Sequence, residues 1–220
     1  MLDHAPRKRT DTRERLLELA ESAVLEKGFS ATSIDELIAA VGITKSGFFY
    51  HFKDKNELAK ALMVRYVEAN DAVLDGIMQR ADTLNDDPLH GFLVSLQLFA
   101  ELLADLPGGH PGCLVASYCY QDQLFSREIR DLTRIGVDGW RKRFRDRLEK
   151  IAACYPPRIP VDMGELADMA NALVDGGIIM SKIFQDPGIL PKQVLLYRDL
   201  IRLIFQPDFP ERQGPVTTRD

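Results

Sequence analysis

Little in this chain alternates. No stretch sustains the apolar/polar period of two that a half-buried strand needs, and no Asn-Gly pair joins two β-branched runs, so hairpins have nothing to grow from. Long apolar runs are missing too: each meets a charge well before the ~18 residues a membrane span needs. The first residues, MLDHAPRKRTDTRERLL, are basic but hold no apolar signal region, so a cytoplasmic protein with no membrane partner is expected. The three cysteines, Cys113, Cys119 and Cys154, are an odd count that disfavours a disulfide framework and makes reduced thiols the expectation. Catalytic signatures are absent as well, with no G-x-S-x-G elbow, no phosphate-cradling glycine loop and no H-E-x-x-H. No enzyme activity and no cofactor is expected. His110 and Cys113 have a spacing that metals sometimes use, yet no second pair of ligands lies nearby, and no metal is expected.

What is present reads as helix. Leu16, Leu19, Ala20, Ala23 and Val24 share one face of a first helix from Thr12 to Lys27, stopped by Gly28. Ser33-Ile34-Asp35-Glu36 has the form of a capping box, which predicts a second helix over 34–41 ended by Gly42. Thr44 can cap a third, from Lys45 to Phe52, and Asp54-Lys55-Asn56-Glu57 opens a long helix from Lys55 towards Arg80. Further helices are expected over 88–104, 113–121, 126–153, 163–184 and 191–205, separated by Pro/Gly-rich breaks. The fold class is therefore all-α. A three-helix unit with a helix-turn-helix pattern, residues 1–54 including a basic N-terminal arm, precedes a larger helical layer, 55–206, and a flexible tail, 207–220.

The net charge of −5 is unevenly spread. Residues 1–60 hold ten Lys/Arg against ten Asp/Glu, while residues 61–220 hold 18 against 23. Where charge sits matters more for nucleic-acid binding than the sum, and the chain opens with Arg7-Lys8-Arg9. The other basic run, Arg141 to Arg147, is interleaved with a helical apolar spacing and reads as the wet side of an amphipathic helix.

Five rings crowd into Phe48 to Phe52. On a helix starting at Lys45, Phe48 and Phe52 fall on one side, facing the small core, and Phe49, Tyr50 and His51 are left near Lys45 on an outer flank. A DNA major groove would cover that flank. Lys45 can donate to guanine or phosphate, Ser46 can reach a base edge, and Gly47 lets the backbone come close. Thr44 falls on the side of Phe48 and Phe52 by spacing and is counted among the expected DNA contacts as well. Helix N-termini near Thr32/Ser33 and Lys55 are natural phosphate clamps, and Arg7, Lys8 and Arg9 can add backbone contacts.

The run Gly28-Phe29, Ala31 to Ile34, Val41 to Lys45, Phe48 to Lys55 and Leu58 resembles the DNA-binding domain of the TetR family of bacterial transcriptional regulators, over about residues 10–62. The resemblance implies a homodimeric repressor that binds a pseudo-palindromic double-stranded operator and is released by a small effector in its larger C-terminal domain. Carried over by position, Thr32, Lys45, Ser46, Gly47, Phe49, Tyr50, His51 and Lys55 fall where the family commonly touches DNA. Phe49 is a departure, since a tyrosine is frequent there. A softer resemblance, through Gly112 to Val115 and Asp175 to Pro187, extends to the effector and dimerisation domain of one branch of the family.

An effector pocket between the middle helices is expected to draw on Phe92, Leu96, Phe99, Leu103, Cys113, Leu114, Ser117, Tyr118, Gln121, Trp140 and Phe144, a lining that suits an apolar or aromatic ligand. A two-fold interface is expected through Leu173, Ile179, Ile183, Val194, Tyr197 and Ile201, with Gly176-Gly177 permitting close helix approach. The competing class is an all-α carrier or enzyme whose helix-turn-helix merely packs. Within the regulators the alternative is a redox or electrophile sensor working through Cys113; a buried, inert thiol is the plainer reading.

Overall fold

A computed structural model describes residues 5–206, with side chains from Thr12 onward. Residues 207–220, expected as a tail, lie outside the described residues. Among the described residues the elements are α1 (Ala5–Lys27), α2 (Ile34–Val41), α3 (Lys45–His51), α4 (Lys55–Leu84), α5 (Pro88–Ala104), α6 (Leu114–Cys119), a 3-10 turn (Asp122–Leu124), α7 (Arg127–Cys154), α8 (Met163–Phe184) and α9 (Ile189–Phe205). There is no strand among them. The first helix starts seven residues earlier than its apolar face indicates; Pro6 falls in its first turn, where a missing N–H breaks no intrahelical bond. The backbone of Arg7, Lys8 and Arg9 thus continues a helix, while their side chains lie outside the described residues.

The caps sit where the sequence places them. Ser33 accepts from the Glu36 N–H, Thr44 from the Gly47 N–H and Asp54 from the Glu57 N–H, each filling one of the orphan donors of a helix start. Gly42 closes α2 in the left-handed conformation, φ 77°, which a side chain would strain. The Glu36 carboxyl is held low by Lys27, whose ammonium donates to it at 2.5 Å, and by the Ser33 N–H.

Two apolar clusters form the core. The first takes Leu16, Leu17, Ala20 and Val24 from α1, Leu37 and Val41 from α2, and Phe48 and Phe52. It is not confined to the first three helices: Leu58, Ala59, Leu62 and Met63 of α4 belong to it, as do Leu114, Tyr118, Phe125 and Ile129. The second joins Leu74, Ile77 and Met78 of α4 to the inner faces of α5, α7, α8 and α9. One helix therefore carries both clusters, its first half in one and its second half in the other.

The outer face of α7 behaves as its pattern predicts. Arg143 bridges Asp71 and Asp75 on α4, Arg147 pairs with Asp82, Arg141 with Asp168, and Lys142 and Arg145 with residues one turn on. These cations are committed to neighbouring carboxylates. At the α8–α9 contact only one of the paired glycines matters. A Cβ on Gly177 would lie 2.8 Å from a methyl of Leu190 and 3.3 Å from its Cα, whereas one on Gly176 meets nothing within 4 Å. Gly177→Ala is expected to cost about 1–3 kcal/mol in denaturant unfolding through overpacking, and Gly176→Ala to be neutral or to stabilise by up to about 1 kcal/mol.

Asp87 caps α5 and ties it to the end of α7. It accepts from the His90 N–H and the His90 ring, both at 2.8 Å, and from the Tyr155 hydroxyl at 2.5 Å. Burial alone would raise its carboxyl, but those three hydrogen bonds outweigh it and hold it at about 2. A depressed carboxyl contributes stability that is fully present above its unfolded value near 4 and is lost as the pH falls through 2. Asp87→Ala should lower stability by about 1 kcal/mol at neutral pH, and the gap from the natural chain should close as unfolding is followed from pH 4 to pH 2.

Candidate nucleic-acid interface and interior cavity

The third helix has only seven residues, and its pose comes from its rings. Phe48 and Phe52 are fully buried, with ring centroids 5.7 Å apart. That anchoring leaves Phe49 at 45% and Tyr50 at 64% exposure on the opposite side. Thr44, Lys45 and Ser46 are exposed beside them, Gly47 and His51 half-buried. The Lys45 ammonium lies 3.7 Å from Asp35, a solvated pair that holds it weakly. The Thr44 and Ser46 hydroxyls hydrogen-bond each other at 2.9 Å. A cation, two hydroxyls and two aromatic rings are thus exposed together, the chemistry that a groove of base edges and phosphates can meet.

Two expected contact residues are turned inward. Thr32 is 1% exposed and its hydroxyl donates to the Gly28 carbonyl at 3.0 Å, so its side chain locks the α1–α2 turn. Lys55 donates to the Phe29 carbonyl at 2.6 Å and sits 4.4 Å over the Phe29 ring; burial lowers its pKa. It is a strut of the first core. Ser33 remains exposed as the α2 cap. A residue not singled out from sequence joins this side: the Arg13 guanidinium lies 5.2 Å over the Phe52 ring, next to α3. Its i+3 and i+4 neighbours Leu16 and Leu17 are buried, and that juxtaposition was the available signal.

A cavity of about 400 Å³ lies in the second layer, walled by α4, α5, α7, α8 and the connection before α6. Of the residues expected there, Phe99, Leu103, Cys113 and Trp140 line it. The others do different work. Phe92, Leu96 and Phe144 are buried in the second core behind the wall, and Leu114 and Tyr118 belong to the first. Ser117 is half-buried on α6, away from the cavity. Gln121 leaves it altogether, accepting from the Ser30 N–H at 3.1 Å, across the junction with the helix-turn-helix.

The polar lining was missed. Tyr66 and Asn70 stand one turn apart on α4, Asn171 and Asp175 one turn apart on α8, and all four border the cavity with His110, Arg65 and Glu21. A polar pair at i, i+4 on a face otherwise apolar was the sequence signal for them. Arg65 is engaged by three glutamates of α1: Glu14 at 2.5 Å, Glu18 at 3.9 Å and Glu21. Burial lowers the pKa of His110, and the Lys182 charge lowers it further, against Asp175. The ring is neutral at pH 7 and its Nδ1 accepts from the Gly112 N–H at 3.2 Å.

The Cys113 thiol reaches both the Tyr66 hydroxyl and the Asp175 carboxylate; burial first, then the Asp175 charge, pushes it up to about 11. A thiol kept protonated is a poor nucleophile. Among the described residues no group of three or more His, Cys, Asp or Glu side chains converges to hold a metal, and no helix is long and apolar enough to cross a membrane.

Three of the six expected interface residues, Val194, Tyr197 and Ile201, are buried within the subunit's own core, where the Tyr197 hydroxyl donates to the Leu166 carbonyl. Leu173 packs partly against that core. Ile179 and Ile183 are exposed, and with Met180, Phe184, Leu196 and Leu203 they form the outward apolar rows of α8 and α9.

Residues 16–62 match the family model described as bacterial regulatory proteins, tetR family. The chain is 26% identical over 178 residues to the HTH-type transcriptional regulator LmrA of Bacillus subtilis (strain 168), covering 78% of this chain and 86% of that protein. It is 24% identical over 176 residues to the HTH-type transcriptional repressor DhaR of Mycobacterium sp. (strain GP1), covering 80% and 84%. Among solved structures, the reduced form of E. coli NemR shares the fold with a TM-score of 0.72 at 21% identity, covering 90% of this chain and 100% of that one.

If burial protects Cys113 as described, iodoacetamide at pH 7.5 should label the exposed Cys119 and Cys154 first. Cys113 should lag by at least about tenfold and catch up only on unfolding, as followed by peptide mass spectrometry.

Proposed function

From the premise that this chain is a TetR-family transcriptional regulator, we propose that it binds a pseudo-palindromic operator as a homodimer and releases it when a small molecule fills the interior cavity. The observation that carries the reading is the division of α3, with Phe48 and Phe52 sunk in the core and Lys45, Phe49 and Tyr50 held outward on a rigid base. Two such helices enter successive major grooves about 34 Å apart, one turn of duplex. Arg13 and the α2 cap at Ser33 flank them on the phosphates, and Arg7, Lys8 and Arg9 precede them in the chain. The second copy docks on the outward rows of α8 and α9, where Ile183 at 68% and Leu196 at 61% exposure are large apolar surfaces that water disfavours.

The release step follows from how the cavity is walled. Tyr66, Asn70 and Val73 border it from α4, whose first half is built into the DNA-reading core through Leu58, Leu62 and Met63. Gly112, Cys113 and Val115 border it from the segment that leads, through Tyr118 and Gln121, to the α1–α2 turn. A ligand preferring one placement of these two elements shifts the spacing of the recognition helices. A coupling of about 1–3 kcal/mol weakens operator binding about 5–150-fold. The signal runs through occupancy, with Cys113 as wall rather than reactive group.

Gel shifts on the DNA flanking the chain's own gene test the proposal. Lys45→Ala and Tyr50→Ala should each weaken the specific shift by at least about tenfold, while light scattering still shows a dimer. Retention of full, sequence-specific binding by both variants would refute the contact assignment.

A further inference from the structure

We propose that the cavity selects a positively charged aromatic ligand, its cationic nitrogen held by Asp175 and its ring body laid against Trp140 and Phe99. The inference rests on the effector role just proposed and adds the chemical class. Three side chains bordering the cavity carry formal charge: Glu21, Arg65 and Asp175. Glu21 and Arg65 neutralise each other, and Arg65 is further occupied by Glu14 and Glu18. Asp175 has no cation within 4 Å among the described residues, and His110 beside it is neutral. Lys182 faces the same connection, near Gly112, but is exposed and does not border the cavity. The lining is thus left with one carboxylate that no neighbouring cation offsets, in a wall largely of aliphatic and aromatic carbon, and a positive charge placed there is attracted to it.

Two of the neutral polar groups lean the same way. Asn70 uses its amide N–H on the Tyr66 carbonyl at 2.7 Å, which leaves its side-chain oxygen as an acceptor. The Tyr66 hydroxyl is engaged with Cys113. An anionic ligand would meet an uncompensated carboxylate and a saturated guanidinium; a cationic one meets two acceptors and the Trp140 and Phe99 rings. Trp140 is braced from behind, stacked on Phe144 at 6.2 Å and edge-on to Phe99 at 6.1 Å, so its ring presents a fixed face for a flat body and for a cation.

Trp140 is the chain's one tryptophan, so its emission reports the cavity directly. The probes are anthracenylmethylamine, anthracenylmethanol and anthracenecarboxylate, which share a ring system that accepts energy from tryptophan and differ in head-group charge. Titrated into the free protein at pH 7, the amine should bind at least about tenfold tighter than the alcohol, and the carboxylate more weakly than either. Asp175→Asn should bring the amine to the affinity of the alcohol and leave the alcohol unchanged. Equal affinities, a preference for the carboxylate, no binding of any probe, or indifference of the amine to Asp175→Asn would each overturn the inference, and the ranking on the natural chain stands even if the variant fails to fold. No DNA enters the measurement. A protein that shifts its flanking DNA but prefers the carboxylate loses this inference and keeps the regulator, whereas preference for the amine without any shift does the reverse.

Discussion

A helix of seven residues cannot hold itself in water, since nucleation is unfavourable and isolated helices need roughly 12–15 residues even to be marginal. The recognition surface therefore depends on the burial of two phenylalanines. Phe48 and Phe52 fix the rotation of α3 about its own axis, Thr44 fixes where it begins, and the extended backbone at Phe52 fixes where it stops. Lys45, Phe49 and Tyr50 inherit their orientation from that anchoring. Thr32 and Lys55 serve it from below, tying Gly28 and Phe29 to the start of α2 and α4, and their polar atoms give rigidity to a base that other side chains then use.

Rigidity at that base is continuous with the second helical layer. Phe29 sits in an aromatic group with Tyr118 and Phe125, whose own rings stack at 4.1 Å, and the Tyr118 hydroxyl donates to the Ala59 carbonyl of α4. Arg65 adds an ionic clamp from α4 to α1. The clamp residues Arg65 and Glu21 also border the cavity, so one guanidinium is shared between the packing of α1 on α4 and the cavity wall. Local rearrangement there has two short routes outward, one along α4 and one through α6.

What could be read from sequence divides by range. Caps are local: Ser33, Thr44, Asp54 and Gly42 act within four residues, and their spacing alone locates the helix starts and stops. The inward and outward rings of α3 were equally legible, because 3.6-residue periodicity assigns faces directly. The cavity was not. Phe92, Leu96 and Phe144 differ from Phe99, Leu103 and Trp140 only in whether a neighbouring helix fills the space in front of them, and no pattern within one helix encodes that. The same ambiguity put Val194, Tyr197 and Ile201 on the outer face, although α9 turns them towards α5 and α8 and leaves Leu196 and Leu203 outside. Thr32 and Lys55 look like surface residues by type; their burial is set by the fold around the α1–α2 turn.

The shared aromatic group has a practical meaning for anyone recombining such proteins. A reading head cut at residue 54 would leave Phe29 without Tyr118 and Phe125, and would discard Leu58, Leu62 and Met63, which complete its interior. Swapped onto a foreign sensor, the severed module would present raw hydrocarbon at the seam. The transplantable unit is accordingly discontinuous in sequence, the first four helices plus the stretch from Leu114 to Ile129, and chimeras that respect the seam must carry both pieces together.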